Sequence, residues 1–241
     1  MKNQDTERVH KLISRYGYTS RRKAEGLIRE GRVRVDGTPV HELGLRVSVD
    51  AVVEVDGRVI NRDMTRVYLA LNKPPGYLCA REDRFGRKTV LDLLPEDYRN
   101  SGVFNVGRLD YRSEGLLLLT NDGDFAHRVL HPSGGTIKKY EVTVDKNIPY
   151  NLIAPWKNGV YIKGEKYRIV DFKEFGPNKT IISLQEGKKR EIRKLFRHIG
   201  LGVVRLKRIA IGSLLLGDLS PGKYRQLTVQ EIEMFLRWEK K

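Results

Sequence analysis

Four consecutive leucines, Leu116 to Leu119, constrain this chain more than any other stretch. Gly115 bounds them on one side and Asn121-Asp122-Gly123 on the other. An apolar run that short, between turn residues, predicts a strand buried on both faces. Just upstream, Val103, Phe104 and Val106 predict a second short apolar strand. Between the two lie Gly107-Arg108-Leu109-Asp110 and Tyr111-Arg112-Ser113-Glu114. Asp110 therefore falls on a loop carried by buried strands, where a carboxylate is held firmly and can still reach a cleft. Two readings stand open: an aspartate that caps a turn, or a catalytic acid.

The chain has 241 residues, enough for two small domains or one large one. Its hydrophobic and charged shares, 39% and 32%, suit an ordinary soluble protein with a sizeable core. The formal charge of +16 favours a polyanionic partner, most simply nucleic acid. The longest apolar runs, Leu116 to Leu119 and Leu214 to Leu216, are far too short to span a bilayer. Met1 to Lys11 is polar and lacks an apolar signal core. Cys79 is the one cysteine, so no internal disulfide forms and a reducing cytoplasm fits. Cys79 itself reads as a small buried apolar residue.

Val9, Leu12, Ile13 and Tyr16 recur at helical spacing and stop at Gly17. Ser20 suits the N-cap of a second helix carrying Ala24, Leu27 and Ile28, which Gly31 ends. Arg32 to Gly37 reads as a strand into a tight turn, Val40 to Val47 as irregular, and Ala51 to Val55 as another strand before Asp56-Gly57. These elements predict a compact N-terminal domain over residues 1–61. Its cations cluster early: Arg8, Lys11, Arg15, Arg21, Arg22, Lys23, Arg29, Arg32 and Arg34. By charge alone, that run suits a solvated helix face and a nucleic-acid surface equally. Ile60 to Met64 reads as a linker, and the second domain is expected over residues 62–241.

That second domain opens with a strand, Val67 to Leu71, stopped by the rigid Asn72-Lys73-Pro74-Pro75-Gly76. Arg81 to Lys88 reads as a charged, mobile loop, and Thr89 to Leu94 as a short helix. Phe125 to Leu130 predicts a helix ending at His131-Pro132. Strands are expected through Tyr140, Val142 and Val144, then at Val160 to Ile162, Tyr167 to Phe172 and Thr180 to Leu184. Ile192, Leu195, Phe196 and Ile199 share a helical face, with Lys188, Lys189, Arg190, Arg193, Lys194 and Arg197 around it. Val203 to Ile211 and Ser213 to Leu216 read as strands, and Thr228 and Glu231 suit a capping box for a last helix through Phe235 and Trp238. Many strands with scattered helices and no regular alternation predict an α+β fold, with a larger mixed, mainly antiparallel sheet behind a small N-terminal domain.

Gly107-Arg108-Leu109-Asp110, followed by Gly115-Leu116-Leu117-Leu118-Leu119-Thr120-Asn121-Asp122-Gly123, resembles the active-site motif of the RsuA/RluB-type pseudouridine synthases. Lys73-Pro74-Pro75-Gly76, Leu214 to Leu219 and Gly222 to Leu227 resemble further parts of that synthase domain. Ser20-Arg21-Arg22-Lys23-Ala24-Glu25 with Ile28, Gly31, Val33, Val35, Asp36 and Gly37 resembles the S-four RNA-binding domain. The resemblance spans about Arg8 to Leu227. It implies isomerisation of a uridine in ribosomal RNA to pseudouridine. The bond from ribose to the ring nitrogen breaks, the uracil turns, and carbon 5 bonds to the sugar. No group is transferred, so no cofactor is implied. A paired or stacked target must be extruded first, at a cost of a few kcal/mol.

The same resemblance makes Asp110 the catalytic carboxylate, either as nucleophile at the sugar or as the base that starts a glycal route. Tyr140 falls on the family's pocket tyrosine, which stacks on the uracil; by its residues alone it equally suits a half-buried strand. Arg193 falls on an arginine that would hold Asp110 ionised and oriented. Glu191 stands where many relatives carry Gln. Arg108 suits RNA phosphate or a brace on the loop, and Arg8, Lys11, Arg21, Arg22, Lys23, Lys188, Lys189 and Arg190 complete the expected RNA contacts. Phe125 to Pro132 is more similar to the large-subunit (23S) branch than to the small-subunit (16S) branch.

Other site signals are weaker. Gly217 to Tyr224 lacks the Ser or Thr and the following helix of a phosphate loop. His127 and His131, with no third ligand nearby, argue against zinc. Asp110 and Glu114, four apart in one loop, do not make a glycosidase pair. The expectation is a monomeric cytoplasmic enzyme that meets ribosomal RNA and no membrane. Its rival is a non-catalytic RNA-binding ribosome assembly factor.

Overall fold

The structure, a computed structural model, describes residues 5–60, 65–131 and 134–237. The linker expected through Asn61, Arg62 and Asp63, with the 61/62 boundary, and also Pro132 and Trp238, lie outside the described residues. The fold is α+β and divides into two compact units. The first holds the described residues up to Val67 together with Glu96–Val103 and Asn121–Gly123; the second holds the rest.

In the first unit, β1 (Thr6–Arg8) runs into α1 (Val9–Arg15). Ser20 caps α2 (Arg21–Arg29), its hydroxyl accepting the Lys23 N–H at 3.3 Å. Val9, Leu12 and Ile13 of α1 and Ala24 and Ile28 of α2 are fully buried, as the helical spacing requires. They pack on a sheet ordered β3-β2-β5-β6, made of β2 (Val33–Val35), β3 (Thr38–Pro39), β5 (Val53–Val55) and β6 (Arg58–Val59). Asp36-Gly37 and Asp56-Gly57 both have positive φ at each residue, which sets the two-residue turn whose twist suits a hairpin. β4 (Arg46–Ser48) pairs with β1, so the stretch expected as irregular becomes a strand at its end. That pairing is with a distant segment and leaves no alternation in the sequence. The short α3 (Glu96–Asn100) also belongs to this unit.

The second unit is built on a nine-stranded sheet. Its strands are β7 (Tyr68–Lys73), β8 (Phe104–Val106), β9 (Glu114–Thr120), β10 (Lys138–Val144), β13 (Asp171–Gly176), β14 (Lys179–Leu184), β15 (Val203–Ile211), β16 (Leu214–Leu215) and β17 (Tyr224–Gln226). Their order is β13-β14-β10-β15-β9-β7-β17, with β8 on β9 and β16 on β15. The pairings are antiparallel except β9 with β15. Leu116 to Leu119 are at most 1% exposed, which is the two-sided burial their run demands.

Leu116 and Leu118 pack with Phe125 and Val129 of α4 (Gly123–Leu130) and Phe235 of α7 (Val229–Leu236). Thr228 and Glu231 close a reciprocal capping box on α7. At the other end of the sheet, α6 (Glu191–His198) buries Ile192, Leu195 and Phe196 against Val142, Ile182 and Trp156. Trp156 follows the short α5 (Tyr150–Ile153) and meets Phe196 edge to face at 5.2 Å.

Three expectations are corrected. Tyr167 to Phe172 is not one strand: Tyr167 ends β12 (Glu165–Tyr167), paired with β11 (Val160–Ile162), and Asp171 begins β13. The Ile169 N–H turns away to the Trp156 carbonyl at 3.1 Å, which breaks the ladder. Ser213 to Leu216 shortens to β16. Thr89 to Leu94 is a 3-10 turn over Val90–Leu93, closed by Thr89 and Asp92 capping each other.

Candidate active site

Asp110 lies on the loop from β8 to β9, and several bonds fasten that loop to the sheet. Gly107 takes φ +75, and the Leu109 N–H donates to the Cys79 Sγ at 3.3 Å. The Ser113 N–H closes a turn on the Asp110 carbonyl at 2.9 Å. At the end of the loop Gly115 meets Arg208 of β15 in the parallel seam. A Cβ on Gly115 would lie 2.3 Å from the Arg208 carbonyl oxygen, so only glycine lets the two strands approach.

Beneath the loop sits Lys73, the last residue of β7, with no solvent exposure. Its ammonium donates to the carbonyls of Ser113 (2.7 Å), Pro74 (3.1 Å), Asp110 (3.3 Å) and Tyr111 (3.4 Å). Burial pulls the Lys73 ammonium below its ordinary range, and the negative charges above it, Asp110 among them, oppose that pull. One cation thus gathers three backbone oxygens of the Asp110 loop and that of Pro74. By sequence Lys73 reads only as part of a rigid loop; its role under the Asp110 loop comes from the fold. Its signal is a lysine in register with an apolar strand, immediately before two prolines.

The carboxylate of Asp110 is exposed and makes no hydrogen bond or ion pair with the described residues. It lines a cleft of about 120 Å³ with Tyr140, Arg108, Glu191 and the Lys188-Lys189-Arg190 turn. Tyr140 stands on β10, 8% exposed, opposite Ile182 on one neighbour and Arg208 on the other. Its hydroxyl has no hydrogen-bond partner among the described residues, although buried tyrosines usually find one. Asp110 and Tyr140, thirty residues apart in the chain, therefore share one cavity.

Arg193 is placed differently from the expectation. Its Nη1 donates to the Val203 carbonyl at 2.8 Å, and its Nη2 is buried without a partner. No ion pair joins it to Asp110 among the described residues. Burial lowers the Arg193 guanidinium below its ordinary value while the Asp110 charge opposes that shift, so the two groups sense each other across a gap. Arg193 is thus a partly buried cation behind the cleft.

Glu191, 4% exposed, opens α6 and accepts the Lys188 N–H at 3.0 Å. Burial pushes its carboxyl above the ordinary range. A glutamine's carbonyl can accept the same N–H, which accounts physically for either residue here. Arg190, just before it, adopts the left-handed region at φ +56, a strained conformation for a side-chain-bearing residue at the cleft rim.

Among the remaining expected RNA contacts, Arg8, Arg21, Arg22 and Lys23 are exposed in the first unit, while Lys11 is tied to Glu7. Arg21, Arg22 and Lys23 occupy the first turn of α2, where the helix dipole disfavours cations. In the second unit Arg108, Lys189 and Arg190 are exposed and Lys188 is partly so. Glu114 is held by Arg205. The Gly217-to-Tyr224 stretch leads into strand β17 and not into a helix. Among the described residues no group of three His, Cys, Asp or Glu side chains is placed to hold a metal ion, and no helix is long and apolar enough to cross a membrane.

The family of RNA pseudouridylate synthases matches residues 67–198, and the S4 domain matches residues 7–53. An RNA pseudouridine synthase of Mycobacterium leprae is 44% identical over 95% of this chain and 92% of its own length. The ribosomal large subunit pseudouridine synthase B of Bacillus subtilis is 38% identical, over 94% of each chain. A crystal structure of a pseudouridylate synthase superposes with a TM-score of 0.70 at 27% identity, covering 95% of this chain and 99% of that one. With an S4 domain before a sheet that holds the Asp110 loop, this chain belongs to the RNA pseudouridine synthase family.

Proposed function

We propose that the chain isomerises one uridine of ribosomal RNA, of the large subunit, to pseudouridine, with Asp110 as the catalytic carboxylate. The observation that carries this reading is the shared cavity of Asp110 and Tyr140 under a basic rim. A volume of about 120 Å³ suits a single planar base delivered out of its helix. Asp110 attacks the sugar or removes a proton from it. The ring of Tyr140 stacks on the uracil, and its hydroxyl faces the carbon 5 proton. Arg193, partly buried behind the cleft, keeps the field near Asp110 positive and favours negative charge developing there. The chemistry calls for no cofactor.

The Bacillus subtilis relative, a large-subunit synthase, supports the choice of ribosomal RNA and of that subunit. Cations over the first turn of α2 and around the cleft supply sequence-independent phosphate binding. The N-terminal domain, residues 1–61, docks on RNA, and residues 62–241 carry the chemistry. The protein acts as a cytoplasmic monomer. The test is chemical pseudouridine mapping of total ribosomal RNA from cells with and without the gene. One uridine of the large-subunit RNA is expected to lose its signal in the deletion. Identical maps would remove the ribosomal assignment and leave a non-catalytic RNA binder.

A further inference from the structure

The loop from Cys79 to Lys88, of which Arg81 to Lys88 is expected as mobile, is instead fastened at both ends and in its middle. Leu78 and Thr89 bridge its base, with Leu78 N–H to Lys88 O and Val90 N–H to Leu78 O, each 2.9 Å. Inside, Asp83 accepts the N–H groups of Phe85 (3.0 Å) and Arg87 (3.1 Å). It also takes the Arg87 guanidinium on both oxygens, at 2.7 and 3.1 Å. Those bonds hold the Asp83 carboxyl down at about 2, and its side chain is only 8% exposed. Gly86, at φ +69, completes the reversal.

The tip of this finger presents an aromatic ring. Phe85 is 66% exposed, with the Arg84 and Arg87 guanidinium carbons over its ring, 4.7 and 5.2 Å from the centroid. Arg87 is occupied by Asp83; Arg84 has no ion-pair partner among the described residues. The finger shares its base with the Asp110 loop. Cys79 accepts the Leu109 N–H, and the Gly76 N–H donates to the Tyr111 carbonyl at 2.8 Å.

An exposed phenyl ring held out by a pre-ordered loop loses little conformational entropy when something lands on it. Flanked by guanidinium groups, it suits a flat, electron-rich partner attached to an anion. An unpaired nucleobase on its phosphate backbone has that chemistry, and aromatic stacking is how proteins hold splayed bases in single-stranded RNA. We propose that Phe85 is a stacking platform for an unpaired base of the RNA beside the target uridine, with Arg84 on the adjoining phosphate and Arg87 as the brace. This rests on the RNA-modifying reading above and adds a contact outside the cleft.

The test uses the full chain and two RNAs: a hairpin with uridine in an unpaired loop, and the same strand fully paired with its complement. Phe85→Ala should weaken hairpin binding about tenfold by fluorescence anisotropy, since stacking on one aromatic contributes on that scale. Binding to the duplex should stay unchanged, and Phe85→Trp should restore hairpin affinity. Arg84→Ala should weaken both RNAs and flatten the salt dependence. Hairpin affinity unchanged in Phe85→Ala, or an equal loss on hairpin and duplex, overturns the proposal. Because binding is the readout, a chain that formed no pseudouridine would defeat the functional reading and still leave Phe85 decided.

Discussion

In the N-terminal unit no polar or charged residue up to position 60 is buried among the described residues, and the cations of α2 stand outside an apolar core. The catalytic unit buries Lys73, Arg208 and Glu191, all within 4% exposure. Burying a charge is costly unless it is paired or hydrogen-bonded. The difference fits the task proposed for each unit. Gripping phosphate needs only cations on a rigid frame, because the partner's charge does the rest. Presenting one carboxylate at a fixed point needs a loop tied from below, and Lys73 ties it through three of its carbonyls.

The sharpest way to break this contrast is Asp110→Asn, which should lower pseudouridine formation at least about a thousandfold, as loss of a catalytic group does. RNA affinity should stay within about twofold, since phosphate contacts carry the binding. A tritium-release assay beside a binding titration reads both; comparable turnover in the variant would take Asp110 out of the chemistry. Lys73→Met should come next. It strips a buried donor from the loop carbonyls and should cost about 2–3 kcal/mol in urea unfolding, with activity lost as well. Wild-type stability in that variant would show that the loop holds itself.

Replacing Arg21, Arg22 and Lys23 together by Ala tests the other side. The slope of log affinity against log salt should fall by about 2. The melting temperature should hold or rise slightly, because those cations oppose the dipole of α2. A lower melting temperature with an unchanged slope would make them structural. The smallest effect is expected at Glu191. Its carboxyl is shifted up, so the native state favours the protonated form, and ionisation costs stability as pH rises from the unfolded value through the folded one. Glu191→Gln should therefore melt higher than the parent at pH 7, with the gap closing as pH falls to 4 and below. A gap independent of pH would assign the effect to packing.

Sequence patterns carried the parts governed by neighbours in the chain. The run Leu116 to Leu119, the cap at Ser20, the box at Thr228 and Glu231 and the Asp-Gly turns each depend on a few adjacent residues. What escaped has two causes. Asp83 fastens its loop through neighbours only two and four residues on, but a run of charges there reads as exposure. Nothing near Tyr167 shows that Trp156 draws the Ile169 N–H out of a ladder. Motif wording brought Asp110, Tyr140 and Arg193 forward, but only the packing of α6 and β15 shows that Arg193 spends a nitrogen on Val203.

β15 lies between β9 and β10, with Arg208 against Gly115 on one side and opposite Tyr140 on the other. It is supplied by residues 203–211, roughly ninety positions after Asp110. A chain growing from its N-terminus therefore carries its acid long before it owns the strand that sets that acid beside the aromatic wall. Such long-range seams form slowly and together. The nascent polypeptide, emerging from a particle made of the very kind of RNA it is proposed to alter, has no complete cleft until residues 203–211 are made.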